Sequence, residues 1–523
     1  MYSRGEKFFA PTNILNNAHT KAKEMKSILK ELKTNPYIKL IAGSLRGCPQ
    51  EAYLVGGFLR DLFLGRKKVN PDFDFAVSRD AIKIGREIAK SLKSGFVVLD
   101  EEHGSCRVIY KKGDFSCNFD FTDFRGRDIS EDLLLRDFTI NSLAVGLSKI
   151  TPARRLEDVL IDKSSALKDI KKKIIRVVSG DSLTDDPLRI LRAFSLSAVL
   201  DFKIELETGK LIRKYRDKVC SSAFERITEE LFKVLNSDNA FKAFKHMDQA
   251  GVLDQLFPEI KPMRRMNQGP YHHLDVYQHS LETLKQMERL LPDLKSDRDI
   301  QGYLNGVISG LRTRKALLKL AAFLHDVGKP ASKRRMKAKI CFHGHEKTGR
   351  NIVRGISERL RLSGDERGDL DRIIFWHLRP GYLADMARLS PKAVYRFFRD
   401  TRDEAVSVLL LSISDQRSTR GPLTRGENRR HHEQVCLDLA KEFFRRKKEK
   451  KLPKLIDGHD IMRHLKLLPG PLIGRILEKI KEAQNIGKID TKAEALKLAD
   501  NLMKKKVRVQ SLKVSRRHCE RTQ

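Results

Sequence analysis

No apolar run in the 523-residue chain approaches the length of a membrane-spanning helix, about 20 residues, so a helical membrane protein is not expected. The opening stretch, MYSRGEKFFAPTN, lacks the apolar core of a secretory leader, and a cytoplasmic protein is expected. Seven cysteines, at Cys48, Cys106, Cys117, Cys220, Cys341, Cys436 and Cys519, are odd in number and form no Cys-x-x-Cys pair. That argues against a disulfide framework and against a cysteine-bound zinc ion. No repeat with a period of about 20 to 50 residues is present, which excludes a solenoid. Acidic residues are in deficit, 68 against 104 basic ones, giving a net charge of +36. A surface so basic attracts a polyanion, first of all nucleic acid and second an acidic membrane surface.

The length suits two to four domains. Strand signals concentrate early, in EAYLVGG (51–57), FDFAV (73–77), GFVVLD (95–100), CRVIYKK (106–112) and FSCNFDFTDF (115–124), with helical periodicity over 81–93 between them. After about residue 165 long amphipathic patterns take over. The expected fold is an α/β head with a mixed sheet, followed by an all-α neck, a histidine-rich helical domain and a C-terminal helical domain. The expected boundaries are a helical lead-in at 1–35, a head at 36–165, a neck at 166–265, a histidine-rich helical domain at 266–430, a C-terminal domain at 431–503 and a basic tail, partly disordered, at 504–523. Breaks are expected at 257–273 and 418–432, where proline and glycine cluster.

The first informative stretch is YLVGGFLRDLFLGRKKVNPDFDFAV, 53–77. Alternation places Asp72 and Asp74 on one face of a strand and Phe73 and Phe75 on the other. The pair is either a solvated acidic edge or a set of oxygen ligands for Mg²⁺. Upstream, Gly56 and Gly57 stand at a strand-to-helix turn where backbone N–H groups can approach a phosphate, with Arg60 and Arg66 close behind. Downstream, Asp120 alternates with Phe119 and Phe121, and an antiparallel neighbour could bring it beside Asp72 and Asp74. Its other reading is a surface strand position. In LRDFTINSLAV (135–145) Arg136 and Asp137 precede an amphipathic helical run that puts Asn141 on the face of Asp137. Asp137 there either caps a helix, or Arg136 meets a triphosphate while Asp137 and Asn141 bond ribose hydroxyls.

GGFLRD, DFDF, RDFTIN, DDPLRILRA and ERITEEL, in this order over roughly 50–235, resemble the successive motifs of the class II tRNA nucleotidyltransferase and bacterial poly(A) polymerase family. The resemblance implies that Asp72 and Asp74 hold the catalytic Mg²⁺, that Gly56, Gly57 and Arg60 lie at the phosphates, and that Arg136, Asp137 and Asn141 contact the nucleotide. Asp186, expected as an N-cap before Pro187, and Arg189 offer an acceptor and a forked donor that can read a base edge. In the family this motif selects C and A, and Arg192 would support it. Two departures stand out: Asp185 replaces the usual Glu, and Leu135 replaces the first Arg of Arg-Arg-Asp. In ERITEEL, Glu225 and Arg226 belong to a helix beginning near Ser222, either as a solvated face or in the base pocket.

Histidines gather at 272–377. LAAFLHDVGKP sets His325 beside Asp326 at the end of an apolar helix, with His279 before it and Asp415 after. This order resembles the HD-domain metal phosphohydrolases, and the resemblance implies a divalent transition metal or Mg²⁺ at these four residues, with His343, His345 and His377 suited to a second ion. His272 is left unassigned. KEFFRRKKEKKLPK (441–454) and the basic tail are expected to meet RNA phosphates.

The function expected is template-independent addition of C and A to the 3′ end of tRNA, from CTP and ATP, with HD phosphohydrolase activity beside it. A poly(A) polymerase and a CC-only or A-only enzyme are the near alternatives, and an HD phosphohydrolase acting on nucleotides or RNA ends is the distant one. No membrane partner is expected, and the oligomeric state is open.

Overall fold

The computed structural model describes residues 12–67, 70–113, 115–336, 339–450 and 452–504. The chain divides into two compact units, Met1–Leu256 and Phe257–Gln523. The tail from 505 onward lies outside the described residues, so the expectation of a disordered basic tail falls there.

The first unit is built on a sheet of seven strands among the described residues: β1 (Ala52–Val55), β2 (Asp72–Val77), β3 (Gly95–Asp100), β4 (Ser105–Lys112), β5 (Phe115–Asp123), β6 (Leu143–Gly146) and β7 (Leu160–Asp162). Their spatial order is β3-β4-β5-β2-β1-β6-β7. Alternating hydrophobicity explains its two faces. Phe73, Phe75, Phe119 and Phe121 are all buried on one side, and Phe75 stacks on Phe121 with ring centroids 5.1 Å apart. Each such ring is worth about 2–3 kcal/mol of burial. The helix Ala81–Ser91 covers this side closely, because Gly85 leaves room for the Cys106 thiol; a Cβ there would sit 2.4 Å from its sulfur.

Two expectations need correcting. The strand that sets Asp120 beside β2 is β5, and the two run parallel, not antiparallel; the antiparallel neighbour of β2 is β1. The run after Asp137 is not helical: Thr139–Asn141 forms a single 3₁₀ turn and Leu143–Gly146 continues as β6, antiparallel to β1. The motif's apolar residues fit both periods over so short a span, and pairing with β1 decided for the strand.

Apart from a short parallel pair, Ile174–Ile175 with Lys203–Ile204, the rest of the first unit is helical, with Leu188–Leu200 packed against Phe224–Asn236 and Ala240–Gln249. In the second unit the helices Val276–Asp293, Arg314–Leu324, Gly364–Trp376 and Ala405–Ser418 pack on one another, and His345–Arg359 packs on Gly364–Trp376. Its few strands are short pairs, Val307–Ser309 with Arg312–Thr313 and Arg334–Met336 with Lys339–Cys341. The expected break at 418–432 is shorter than its composition suggests, since helix resumes at Gly426. Farther on, Ile461, Ile473, Ile476, Ile480, Ala495 and Ala499 form a separate small core.

Candidate active site and metal centre

Register across the sheet assembles the first site. Val55, Asp74, Asp120, Arg107 and Val97 are successive partners on β1, β2, β5, β4 and β3. Asp72, two residues before Asp74, shares this face and receives a hydrogen bond from Asn118 Nδ2 at 2.9 Å. Phe73 and Phe75 anchor the opposite face, so the side chains of Asp72 and Asp74 point away from the core.

Burial pushes the Asp74 carboxyl above its ordinary value, and the charges of Asp120 and Asp72 push it further, against Arg136 and Arg192. Carboxylates crowded in this way suit a hard divalent cation, which relieves their repulsion. Asp72, Asp74 and Asp120 offer such an ion oxygen ligands from one face of the sheet. Asp120 is gripped by Arg107, whose Nε and Nη2 donate at 2.8 and 2.7 Å. Sequence reasoning missed Arg107. The only trace of it is alternation within CRVIYKK, which gives a face but no partner.

On the other flank β1 ends at Gly56, whose φ of +75° and ψ of −140° suit glycine alone. A Cβ there would lie 3.0 Å from Asp74 Oδ2 and 3.6 Å from Arg136 Nη1. Arg136 is aimed by Asp132, which accepts from its Nε and Nη2 at 3.1 and 2.9 Å. Gly56, Asp74 and Arg136 thus meet at this flank of the row.

Arg60 does not reach out in the same way. It is buried, with its fork on Asp61 Oδ1 and its Nη1 on Asn141 Oδ1 at 2.6 Å. Asn141 in turn donates to Asp137 Oδ1 at 3.1 Å, and Arg192 Nε lies 2.9 Å from Asp137 Oδ2. Burial acts to raise the Asp137 carboxyl, but Arg192, Asn141 and the Phe138 N–H outweigh it and hold it below the ordinary value. Asp137 stays ionised inside a network that runs from Arg60 to Arg192.

The base-reading pair is also arranged differently from expectation. The helix begins at Leu188 with Pro187 at its cap, and Asp186 Oδ1 accepts from the Leu188 N–H at 3.2 Å while Oδ2 meets Arg226 Nη2 at 3.0 Å. Arg189 is buried, donating to Ser182 Oγ at 2.8 Å and to the Leu135 carbonyl at 3.3 Å, and burial lowers its pKa. The two side chains do not project together, because the buried carbonyls around 135 and 182 claim the guanidinium.

In the second unit the histidine cluster forms a compact centre. His279, His325 and Asp326 bring ligand atoms within 4.8 Å of one another, and so do Asp326, His345 and His377. Asp415 joins the first group, its Oδ1 2.9 Å from His279 Nε2. His325, His345 and His377 each turn Nδ1 to the carbonyl three residues earlier, at 3.1, 2.8 and 2.6 Å, leaving Nε2 for the centre. That is the usual second-layer support of a metal-binding imidazole. Burial lowers His279, and burial with His345 and His325 pushes His377 down to about 3. Against burial, His325 and Lys329 hold Asp326 well below the carboxylate range, and His279 does the same for Asp415. His279 and His377 are thus held toward the neutral form and the two carboxylates toward the ionised one, the forms that bind a divalent ion, whereas Asp326 draws His325 upward against burial, so an ion bound there would release its proton; the donor set fits one ion on each side of Asp326.

His343 is exposed and stands outside the described cluster. Lys329, unforeseen, places Nζ 2.6 Å from Asp326 Oδ2 and 2.6 Å from Gln268 Oε1. His325 and Asp326 also lie just beyond the helix Arg314–Leu324, so the turn, not the helix surface, brings both to the centre.

Comparison with known proteins gives three family models along the chain: the Poly A polymerase head domain at 52–176, the Probable RNA and SrmB-binding site of polymerase A at 201–264, and the HD domain at 276–420. An A-adding tRNA nucleotidyltransferase of Deinococcus radiodurans is 30% identical over 457 residues, covering 86% of this chain and 94% of that protein. A CC-adding tRNA nucleotidyltransferase of Geobacter sulfurreducens is 30% identical over 464 residues, covering 88% and 94%. Among solved structures, a CCA-adding enzyme complexed with CTP matches with a TM-score of 0.60 at 22% identity, over 92% of this chain and 98% of that one. The Thermotoga maritima CCA-adding enzyme complexed with tRNA matches at 0.58 and 21%, with the same coverage. Both share the fold.

Proposed function

The chain belongs to the tRNA nucleotidyltransferase family and is a nucleotidyltransferase, and we propose that it adds C and A residues to the 3′ end of tRNA without a template. The observation that carries this reading is the row of carboxylates, Asp74 beside Asp120 with Asp72 on the same face, closed on one flank by Gly56 and Arg136. The RNA 3′-oxygen attacks the α-phosphorus of CTP or ATP, the bond from that phosphorus to the bridging oxygen of the β-phosphate breaks, and pyrophosphate leaves with the electron pair. The hydroxyl proton passes to a carboxylate or to water. Mg²⁺ held by Asp72, Asp74 and Asp120 would lower the pKa of the attacking hydroxyl and neutralise the pyrophosphate. Gly56, Gly57 and Arg136 take the triphosphate, and Asp137, Asn141 and Arg60 form the network beneath the sugar. Asp186 selects the base once the Asp186–Arg226 contact yields to the nucleotide, with Arg192 in support, while Arg189, held on Ser182 and the Leu135 carbonyl, keeps that segment in place.

A second reading, a CC-only or A-only enzyme, is favoured by the names of relatives that match most of the chain, an A-adding and a CC-adding tRNA nucleotidyltransferase among them. Offering tRNA without its CCA end, and an unrelated RNA, with CTP, ATP and both, then sequencing the products, separates the readings. Complete CCA ends on tRNA alone support the first reading, CC or A alone supports the second, and a long A tail on both RNAs overturns both.

For the second unit the proposal is a divalent transition metal or Mg²⁺ at His279, His325, Asp326 and Asp415, with a second ion at Asp326, His345 and His377, hydrolysing phosphoesters at RNA ends. Metal analysis and turnover of bis(p-nitrophenyl) phosphate test it. Loss of turnover in Asp326→Ala with incorporation intact is expected, and turnover unchanged by that substitution overturns it. The division into lead-in, head, neck, HD-type and C-terminal domains, and a cytoplasmic location, belong to the same proposal. No described helix is long and apolar enough to cross a membrane.

A further inference from the structure

In-line displacement puts the attacking oxygen and the leaving pyrophosphate on opposite sides of the α-phosphorus. The row across the sheet has two different ends. On the β1 side stand Gly56 and Arg136, which the function proposed above assigns to the triphosphate. On the β4–β3 side stand Asp120, Arg107 and Val97, in that order. If the leaving group is held at the first end, the attacking 3′-hydroxyl comes from the second.

Three features of that second end suit an RNA terminus. Arg107 uses Nε and Nη2 on Asp120, and among the described residues its Nη1 has no partner. The side chain is 38% exposed, so this third nitrogen is open to a ligand. Val97 lies opposite Arg107 on the edge strand β3 and is 45% exposed, and Ile109, two residues along β4 from Arg107, shares the face and is partly buried. An arginine between two aliphatic side chains offers a donor for a phosphodiester and a flat apolar surface for a base or ribose. Neighbouring strands are about 4.8 Å apart, so the step from Asp120 through Arg107 to Val97 spans about 10 Å, room for one nucleotide.

We propose that Arg107, Val97 and Ile109 form the seat of the terminal nucleotide of the RNA being extended, with Arg107 Nη1 on its phosphodiester while the rest of the fork keeps Asp120 in place beside the incoming 3′-hydroxyl. Arg107 is thus both a positioning residue for Asp120 and a contact to RNA. The proposal rests on the transferase reading above, since it takes the two ends of the carboxylate row as leaving-group side and attacking side.

The test uses the full chain and Arg107→Gln, Arg107→Lys and Val97→Ser variants. Three readings are taken: steady-state incorporation with RNA and nucleotide varied separately, anisotropy of 5′-fluorescein-labelled tRNA lacking its CCA end, and inhibition by the dinucleoside monophosphate CpC. Loss of a charge-assisted contact predicts that Arg107→Gln raises KM for RNA about tenfold and leaves KM for the nucleotide within about twofold. CpC competes with RNA in the wild type and loses potency in Arg107→Gln, Arg107→Lys restores part of the RNA affinity, and Val97→Ser raises only the RNA KM. A fall in kcat alone, with both KM values and anisotropy unchanged, reduces Arg107 to an ion pair and overturns the seat. A rise in nucleotide KM without a rise in RNA KM places Arg107 on the wrong side and also overturns it. A wild type that binds RNA and incorporates nothing overturns the transferase reading instead, and anisotropy of Arg107→Gln still decides whether Arg107 holds RNA.

Discussion

Gly56→Ala is expected to weaken both the first unit and its activity, for one geometric reason. At φ +75° and ψ −140° an L-residue is strained by about 1–3 kcal/mol. The added Cβ also arrives 3.0 Å from Asp74 Oδ2, closer than Cβ atoms tolerate, so the carboxylate must move by some tenths of an ångström. Taking about 2 kcal/mol and about 2–4 °C per kcal/mol for a unit of this size, the melting temperature falls by about 4–8 °C. A displaced metal-holding carboxylate also costs rate: about tenfold in kcat, less than the roughly hundredfold of a full ångström of misplacement at a reacting centre. Gly57→Ala is the control, because its Cβ would meet only Arg60 Nη2, at 3.4 Å, and its φ is not positive. Thermal unfolding and incorporation of labelled CTP or ATP into tRNA measure both effects. A Gly56→Ala enzyme that melts and works like the wild type, or a Gly57→Ala enzyme that is the worse of the two, refutes the reasoning.

Arg189→Ala leaves Ser182 Oγ and the carbonyls near it without their buried donor, so urea unfolding should show a loss of about 2–4 kcal/mol, with Arg189→Lys recovering part. In the metal centre Asp326 belongs to both ligand groups and His377 to one. Asp326→Ala should therefore strip every bound ion from the second unit by elemental analysis, and His377→Ala only one; equal losses would sink the two-ion arrangement. Affinity for tRNA should fall linearly in log Kd against log salt, each phosphate contact in a duplex adding about 0.9 to the slope; a flat line would show that the +36 charge does not act on RNA. Tyr53, buried and bonded to Glu51 at 3.0 Å, is pushed up to about 12, first by burial and then by Glu51. Since that lies above the unfolded value, its contribution to stability is complete below about pH 10 and lost as pH rises through about 12. Tyr53→Phe should flatten that part of the stability profile.

Much of the site was legible in the residue order. Alternation assigned Asp72 and Asp74 to one face and Phe73 and Phe75 to the other, and all four lie as that period requires. The strands at 73–77, 95–100, 106–112 and 115–124 stand within a residue or two of their expected ends. The stretch after Asp137 was misread because a few residues support either period, and contact with β1 settled it. Arg189 was misread for another reason: a guanidinium next to buried carbonyls turns inward, and besides nearby Ser182 the acceptor at Leu135 belongs to a residue some fifty positions earlier.

From the sequence alone came the chemistry available to each segment: carboxylates at every second position, a glycine turn, and histidines and aspartates in an order suited to a metal. Period-two alternation fixes the face on which a side chain stands, and local chain stiffness fixes little beyond the next turn. Which side chain stands beside which follows from strand order and long-range packing. Only the fold set Asp120 next to Asp74 in a parallel pair, put Arg107 on Asp120, and brought Asp415 to His279 across 136 residues. Those neighbours decide charge, protonation and reach, because electrostatic coupling depends on distance in space and not along the chain.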